Sequence, residues 1–161
     1  MLKHPKGDRA FVEMLLIARE VGLDLLVVAT GVLLDTVDED STEQSWTATI
    51  SADGDRDFFV LDAEEGTAIC IPGTAQSYTF RVRLVPPQGA DCRDYDLYLY
   101  DDAGTLIDSS ENAGCLEEAI IFGWVGECGL NDSLSFIAEV RPQPGEFSCS
   151  PYTLYADMWS P

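Results

Sequence analysis

The sequence has few basic residues and a single histidine, and both shortages exclude functions. Nine lysines and arginines stand against 29 aspartates and glutamates in 161 residues, which gives a formal net charge of −20. A nucleic-acid-binding protein needs the opposite sign, because contacts to phosphate supply most of its affinity. An anionic membrane is disfavoured for the same reason unless a bound cation lies between. The one imidazole, His4, lies near the N-terminus, so Ser-His-Asp and Cys-His catalysis are not expected.

A long uninterrupted apolar run is also missing. Residues 11–34 are apolar overall but contain four charged side chains, which is too much charge for a membrane span and unsuited to a signal-peptide core. Helical spacing of the apolar side chains predicts a short helix within 10–21, and residues 25–34 are suited to a strand. We therefore expect an N-terminal segment of uncertain structure over residues 1–34, followed by an acidic linker over 35–45.

From residue 46 onward, nine short runs of strand character are separated by turns rich in Gly, Pro, Asn and Asp. One of the nine is GTAICI, at residues 66–71. With no helical pattern between them, these runs predict an all-β domain over residues 46–161, built as an antiparallel β-sandwich or jelly roll. The period of two along each strand predicts that one set of side chains points into the core: Phe80, Val82, Leu97, Leu99, Ile120 and Leu154.

Five cysteines occur beyond residue 65, and no two of them have Cys-x-x-Cys spacing. That spacing argues against a zinc site or a thioredoxin-type pair and favours disulfides in an oxidising compartment, with one thiol left over. Successive antiparallel strands alternate between the two ends of a sandwich, and bridged Cα atoms lie about 4.4–6.8 Å apart. Cys70 and Cys128 fall at one end and are expected to pair. Two of Cys92, Cys115 and Cys149 should pair at the other end, with Cys92 as one member and Cys149 as the favoured second.

Acidic residues alternate in the segment ADGDRDFF, where Asp53, Asp55 and Asp57 occupy every second position. Alternate residues of an extended segment point the same way, and calcium takes six to eight oxygen ligands. Linker acids are expected to complete the shell from the other side: Glu39, Asp40 and Glu43. The pattern indicates a calcium site; the alternative is an Asp-Gly turn with solvated carboxylates.

Aromatic residues provide a second candidate site. Tyr98 and Tyr100 lie on the face of their strand opposite Leu97 and Leu99. Together with Trp124 they would form a platform for a sugar or protein ligand. The alternative is that these rings pack in the core or on the sheet surface, as aromatic residues of sandwiches do.

Four motifs stand in order along the chain: GDRDFF at 54–59, YDLYLYDDAG at 95–104, EAI at 118–120 and PYTL at 151–154. Over roughly residues 46–158 this order resembles the bacterial pre-peptidase C-terminal domain. The resemblance implies a secreted, non-catalytic β-sandwich of the kind appended to extracellular peptidases. Relatives in clostridial collagenases bind collagen and hold calcium near their N-terminal linker. Their Glu-Pro-Asn-Asn linker motif is absent here, and the cysteines are not part of the usual pattern.

Together these features predict a non-catalytic extracellular or periplasmic binding module, stabilised by disulfides and calcium, for a protein or polysaccharide surface. A parent or neighbouring peptidase domain is a second expected partner. Two other functions stay open. A calcium-dependent membrane-binding sandwich would need acids gathered at one end, beside basic or apolar loop tips. A carboxylate-based glycoside hydrolase would need two acids about 5–10 Å apart with different pKa values.

Overall fold

The computed structural model describes residues 32–39, 42–66 and 71–160. The strands are β1 (Val32–Asp38), β2 (Gln44–Ala48), β3 (Asp57–Glu64), β4 (Ala75–Val85), β5 (Tyr95–Asp101), β6 (Leu106–Ser110), β7 (Glu118–Glu127), β8 (Leu134–Pro142) and β9 (Tyr152–Trp159). A short 3-10 helix at Gly89–Asp91 follows β4. Within these ranges no helix has the length and apolar character needed to cross a membrane.

The strands form two sheets that pack face to face. One has five strands in the order β1-β3-β8-β5-β6, and the other has four in the order β2-β9-β4-β7. Every paired neighbour is antiparallel except β1 and β3, which run parallel. The parallel pair is possible because β2 lies between them in sequence but belongs to the other sheet, so the connection crosses over. The predicted all-β sandwich is confirmed, with one parallel pair at its edge.

The core lies between the two sheets and is filled by alternate residues of each strand. All six side chains predicted to point inward have at most 2% of their surface exposed. At the centre, the Phe80 ring from the four-stranded sheet stacks on Phe136 from the other sheet, with centroids 4.7 Å apart. Burial of each large apolar side chain contributes about 1.5–3 kcal/mol, so this layer is the main source of stability.

The acidic segment predicted as a linker contributes to two strands. Residues 35–38 belong to β1 and residues 44–45 to β2. Val37 is fully buried while Asp35 and Asp38 are exposed, which is the alternation of a half-buried edge strand whose charges face water. The predicted helix in 10–21 lies outside the described residues, as does most of the strand predicted at GTAICI.

The structure corrects one cysteine pairing. Cys92 forms a disulfide with Cys115, with Cα atoms 5.3 Å apart, and Cys149 is the exposed free thiol among the described residues. The prediction that Cys92 is a bridge member is confirmed, whereas Cys149 as its partner is wrong. The Ser148 N–H donates to the Ile50 carbonyl at 2.8 Å. That bond holds the loop around Cys149 against the connection from β2 to β3.

Cys128 lies at the opposite end of the sandwich, as predicted. It is buried, its N–H donates to the Thr74 carbonyl at 2.9 Å, and its own carbonyl accepts from the Gly73 N–H at 3.0 Å. The turn before β4 therefore packs against the end of β7. Cys70 lies outside the described residues, so its bridge to Cys128 stays a prediction.

Candidate ligand surface on the five-stranded sheet

The outer face of the five-stranded sheet carries a group of polar and aromatic side chains from β5 and β8. We call this group the tyrosine face: Asp96, Tyr98, Tyr100, Glu139 and Arg141. Asp96 lies opposite Arg141 in the antiparallel register, and Tyr98 lies opposite Glu139. Because Leu97, Leu99, Ala138 and Val140 are buried on the inner side, strand alternation places the five residues outside.

Glu139 is the centre of the group. Only 2% of its surface is exposed, yet its carboxylate accepts bonds from Arg141 Nε and Nη2, both at 2.7 Å, and from Tyr100 Oη at 2.8 Å. Arg56 Nη1 adds a fourth bond at 3.2 Å. A buried charge persists only when it is paired and hydrogen-bonded in this way. The network therefore fixes the position of each member.

The network also keeps Tyr100 and Arg141 each in one protonation state. Burial and the hydrogen bond to Glu139 raise the pKa of Tyr100 above its usual value. The bond to Glu139 likewise raises the pKa of Arg141. Tyr100 stays a neutral donor and Arg141 stays charged throughout the physiological range.

Tyr98 and Asp96 complete the face. The guanidinium of Arg141 lies 3.9 Å from the centroid of the Tyr98 ring, a cation–π contact. Gln143 Nε2 donates to Asp96 Oδ2 at 2.6 Å. Burial, which outweighs the effect of that bond, raises the pKa of Asp96 to about 6. The carboxylates of this region of the sheet are thus buried with partners instead of standing free in water.

The arrangement leaves part of the tyrosine face free for contact. Tyr98 and Tyr100 are half-buried, so part of each ring remains available for contact. Arg141 uses Nε and Nη2 inside the network. Its Nη1 has no acceptor among the described residues and can donate to an incoming one. Side chains fixed in advance lose little conformational entropy on binding, so the tyrosine face is pre-organised.

Trp124 is not part of this face. It lies on the inner side of β7 in the other sheet, where its ring stacks on Tyr78 with centroids 5.3 Å apart. It also contacts Phe122 and Phe136, and its Nε1 donates to the Asp132 carbonyl at 3.0 Å. The structure therefore does not bring Trp124 to the two tyrosines, because β7 and β5 belong to different sheets.

The three alternating aspartates point in different directions. Asp53 Oδ1 accepts from the Gly145 N–H at 3.1 Å, and Asp55 Oδ2 accepts from the Ser51 N–H at 3.3 Å. Asp57 instead faces the core, where the Tyr152 hydroxyl donates to its Oδ2 at 2.5 Å. Burial raises the pKa of Asp57 to about 6. The expected convergence fails because Asp57 is already the first residue of β3, whereas Asp53 is in the turn before it.

The linker acids lie elsewhere in the molecule. Because β1 and β3 run parallel, Glu39 lies beside Glu64 at the far end of β3 from Asp57, about 23 Å along the strand at about 3.3 Å per residue. Glu43 forms salt bridges with Arg83 at 2.5 Å and Arg81 at 3.5 Å.

Asp40 lies outside the described residues. The part of the chain that the structure describes contains no group of three His, Cys, Asp or Glu side chains placed to hold a metal ion. A single shell built from all the predicted acids is therefore wrong. Calcium binding itself stays a prediction.

Sequence reasoning missed Glu139 and Arg141, which make the tyrosine face polar. A signal existed in the segment SLSFIAEVR, where an acid and a base stand two residues apart on the polar side of a strand. Their partner Arg56 comes from the turn before β3, 83 positions away from Glu139. That contact depends on the strand order, which no local pattern encodes.

Comparisons with known proteins add little to this geometry. No family model matches the chain, and no curated protein matches it. Among solved structures, the infectious bursal disease virus VP2 subviral particle is 12% identical, with 73% of this chain and 33% of that chain covered and a TM-score of 0.23. The structure of the Gt strain of that virus is 15% identical, with 86% and 36% covered and a TM-score of 0.20. The chain spans about a third of the length of these proteins. Such TM-scores carry no inference about fold or function.

Proposed function

We propose that the protein is a non-catalytic extracellular binding module that attaches to a protein or polysaccharide surface through the tyrosine face. The observation that carries the proposal is the network around Glu139, which fixes Tyr100 by a hydrogen bond and Tyr98 through Arg141. The network holds both rings in place before any ligand arrives, which lowers the entropic cost of binding at this face.

Two further observations support an extracellular setting. The Cys92–Cys115 disulfide is compatible with an oxidising compartment. The motif order that resembles pre-peptidase C-terminal domains includes YDLYLYDDAG, and that segment supplies both tyrosines of the face. The resemblance and the geometry thus point to the same strand.

The placement of the unusual carboxyls supports binding over acid-pair catalysis. Asp57 and Asp96 both have a pKa raised to about 6. Asp57 faces the core while Asp96 faces outward, so the two lie on opposite faces of the same sheet. Two carboxyls so placed cannot flank one glycosidic bond.

The test is co-sedimentation with insoluble extracellular polymers: collagen fibres, peptidoglycan, chitin and cellulose. Tyr98→Ala should lose most of the binding to whichever polymer retains the wild type. Tyr155→Ala is the matched control, because Tyr155 lies under Arg83 on the outer face of the other sheet, with the guanidinium 4.9 Å from the ring centroid. Equal loss in both variants, or no retention of the wild type by any polymer, would contradict the proposal.

A further inference from the structure

Among the described residues, strand β7 forms one edge of the four-stranded sheet, with β4 as its neighbour in that sheet. Hydrogen bonds close this edge at its two ends. The Ala119 N–H donates to Ser110 Oγ at 3.3 Å, and the Glu127 N–H donates to Asp132 Oδ2 at 2.5 Å. Both amides therefore point away from β4.

Between these ends, no strand of the described part of the chain pairs with the outer side of β7. In an antiparallel strand, successive residues turn their N–H and C=O groups to opposite sides. The N–H and C=O groups of residues 121, 123 and 125 therefore point away from β4, like those of residues 119 and 127. Within the ranges that the structure describes, the N–H groups of Ile121, Gly123 and Val125 therefore face the side of β7 on which the sheet has no further strand. The edge presents an open ladder centred on Gly123.

Residues 121–125 read Ile-Phe-Gly-Trp-Val. On each side of Gly123 an aromatic residue comes first and a β-branched aliphatic residue second. Ile121 and Val125 point outward with 62% and 69% of their surfaces exposed. Phe122 and Trp124 point inward and are half-buried against the core. A segment with this symmetry is complementary to itself when two copies run antiparallel.

We propose that β7 pairs with β7 of a second copy about a two-fold axis at Gly123, which joins the two four-stranded sheets into one. Ile121 then lies opposite Val125 of the second copy on the outer face, and Phe122 lies opposite its Trp124 on the inner face. Each pair of residues whose backbone groups point away from β4 exchanges both N–H···O bonds with its partner. The interface is isologous, as a two-fold axis requires. The pairing covers two of the exposed large hydrophobic side chains.

The dimer is weak and strengthened by salt. The contact is a single short strand on each side, which is small for a stable interface. Each chain also carries a formal charge of −20, and screening by salt reduces the repulsion between copies. An open apolar edge could instead bind an extended peptide of another protein. In that case the isolated chain would stay monomeric.

The experiment is sedimentation velocity at low and high salt over roughly a hundredfold range of concentration, because dimer formation follows mass action. All proteins carry Cys149→Ser, so that the exposed thiol cannot link chains. The test variant is Ile121→Lys with Val125→Lys. The control is Leu116→Lys with Leu130→Lys, which adds the same charge at positions 61% and 58% exposed. The protein that carries Cys149→Ser alone is the parent protein of this comparison. We expect the parent protein and the control variant to form a dimer that is strengthened by salt, and the test variant to stay monomeric.

A parent protein that is monomeric at high salt and the highest concentration would overturn the proposal. A dimer that persists in the test variant would overturn it as well, because the interface would lie elsewhere. Hydrogen exchange on the parent protein locates the contact without any variant. The amides of residues 121, 123 and 125 should become protected as concentration rises, and unchanged exchange there would count against the pairing.

Discussion

Asp57 couples the stability of the sandwich to pH. Its side chain faces the core at the start of β3 with 8% of its surface exposed. Burial raises its pKa from 3.8 to about 6, against the lowering effect of the bond from Tyr152 and with a smaller contribution from the charge of Asp55. The folded protein therefore holds this proton more tightly than the unfolded chain does.

The sign of the effect follows from linkage. The contribution of Asp57 to stability is complete below about pH 3.8 and is lost as the pH rises through about 6, because ionisation then opposes folding. A pKa change of this size corresponds to about 3 kcal/mol. Relaxation of the surroundings around the buried charge reduces the expected loss to about 2 kcal/mol.

Asp57→Asn preserves the shape and the acceptor oxygen but cannot ionise. We expect its free energy of unfolding, measured by urea denaturation, to exceed that of the wild type by about 2 kcal/mol near pH 8. The two proteins should be equally stable near pH 4. Asp102→Asn, in the exposed turn after β5, removes the same charge and should leave the pH dependence as it is. If Asp57→Asn and the wild type keep the same pH profile, the carboxyl is ionised in the folded state and the reasoning fails.

Three further changes test the packing by urea denaturation at neutral pH. Replacing Cys92 and Cys115 by serine should cost about 3 kcal/mol, because the bridge closes a loop with a sequence separation of 23; unchanged stability would mean that the bridge does not restrict the unfolded chain. Phe80→Ala removes a fully buried ring and should cost about 3–5 kcal/mol; a loss below about 1 kcal/mol would place Phe80 outside the core. Arg141→Ala should cost about 2 kcal/mol, because Glu139 loses two of its donors while it stays buried; a stabilised variant would show that the network opposes folding.

The inward-facing residues could be predicted from the sequence because a strand repeats every two residues. Phe80 and Val82 alternate with Arg81 and Arg83, and this pattern fixes the buried face without knowledge of any neighbour. The placement of the described cysteines at the two ends, Cys128 at one and Cys92 with Cys115 at the other, followed from the same reasoning. The partner of Cys92 could not be predicted in this way, because Cys115 and Cys149 lie at the same end and only the path of the loops separates them.

The polar contacts were beyond sequence reasoning for a different reason. Glu139 is bonded to Tyr100 on a neighbouring strand that precedes it by 39 positions, and β5 and β8 become neighbours only through the order of the sheet. Asp57 resembled its neighbour Asp55 in the sequence, yet one is buried and the other lies in the turn before the strand. Because β3 begins at Asp57, this residue takes an inward-facing place in the strand, whereas Asp55, two residues earlier, lies outside it.

Hydroxyl-radical footprinting of the unmodified protein, with and without the polymers, shows whether the tyrosine face binds an extracellular polymer. We expect oxidation of Tyr98 and Tyr100 to fall when a polymer binds, while oxidation of Tyr155 on the other sheet does not change. Protection of Tyr155 alone, or binding that leaves all three rings equally reactive, would contradict it.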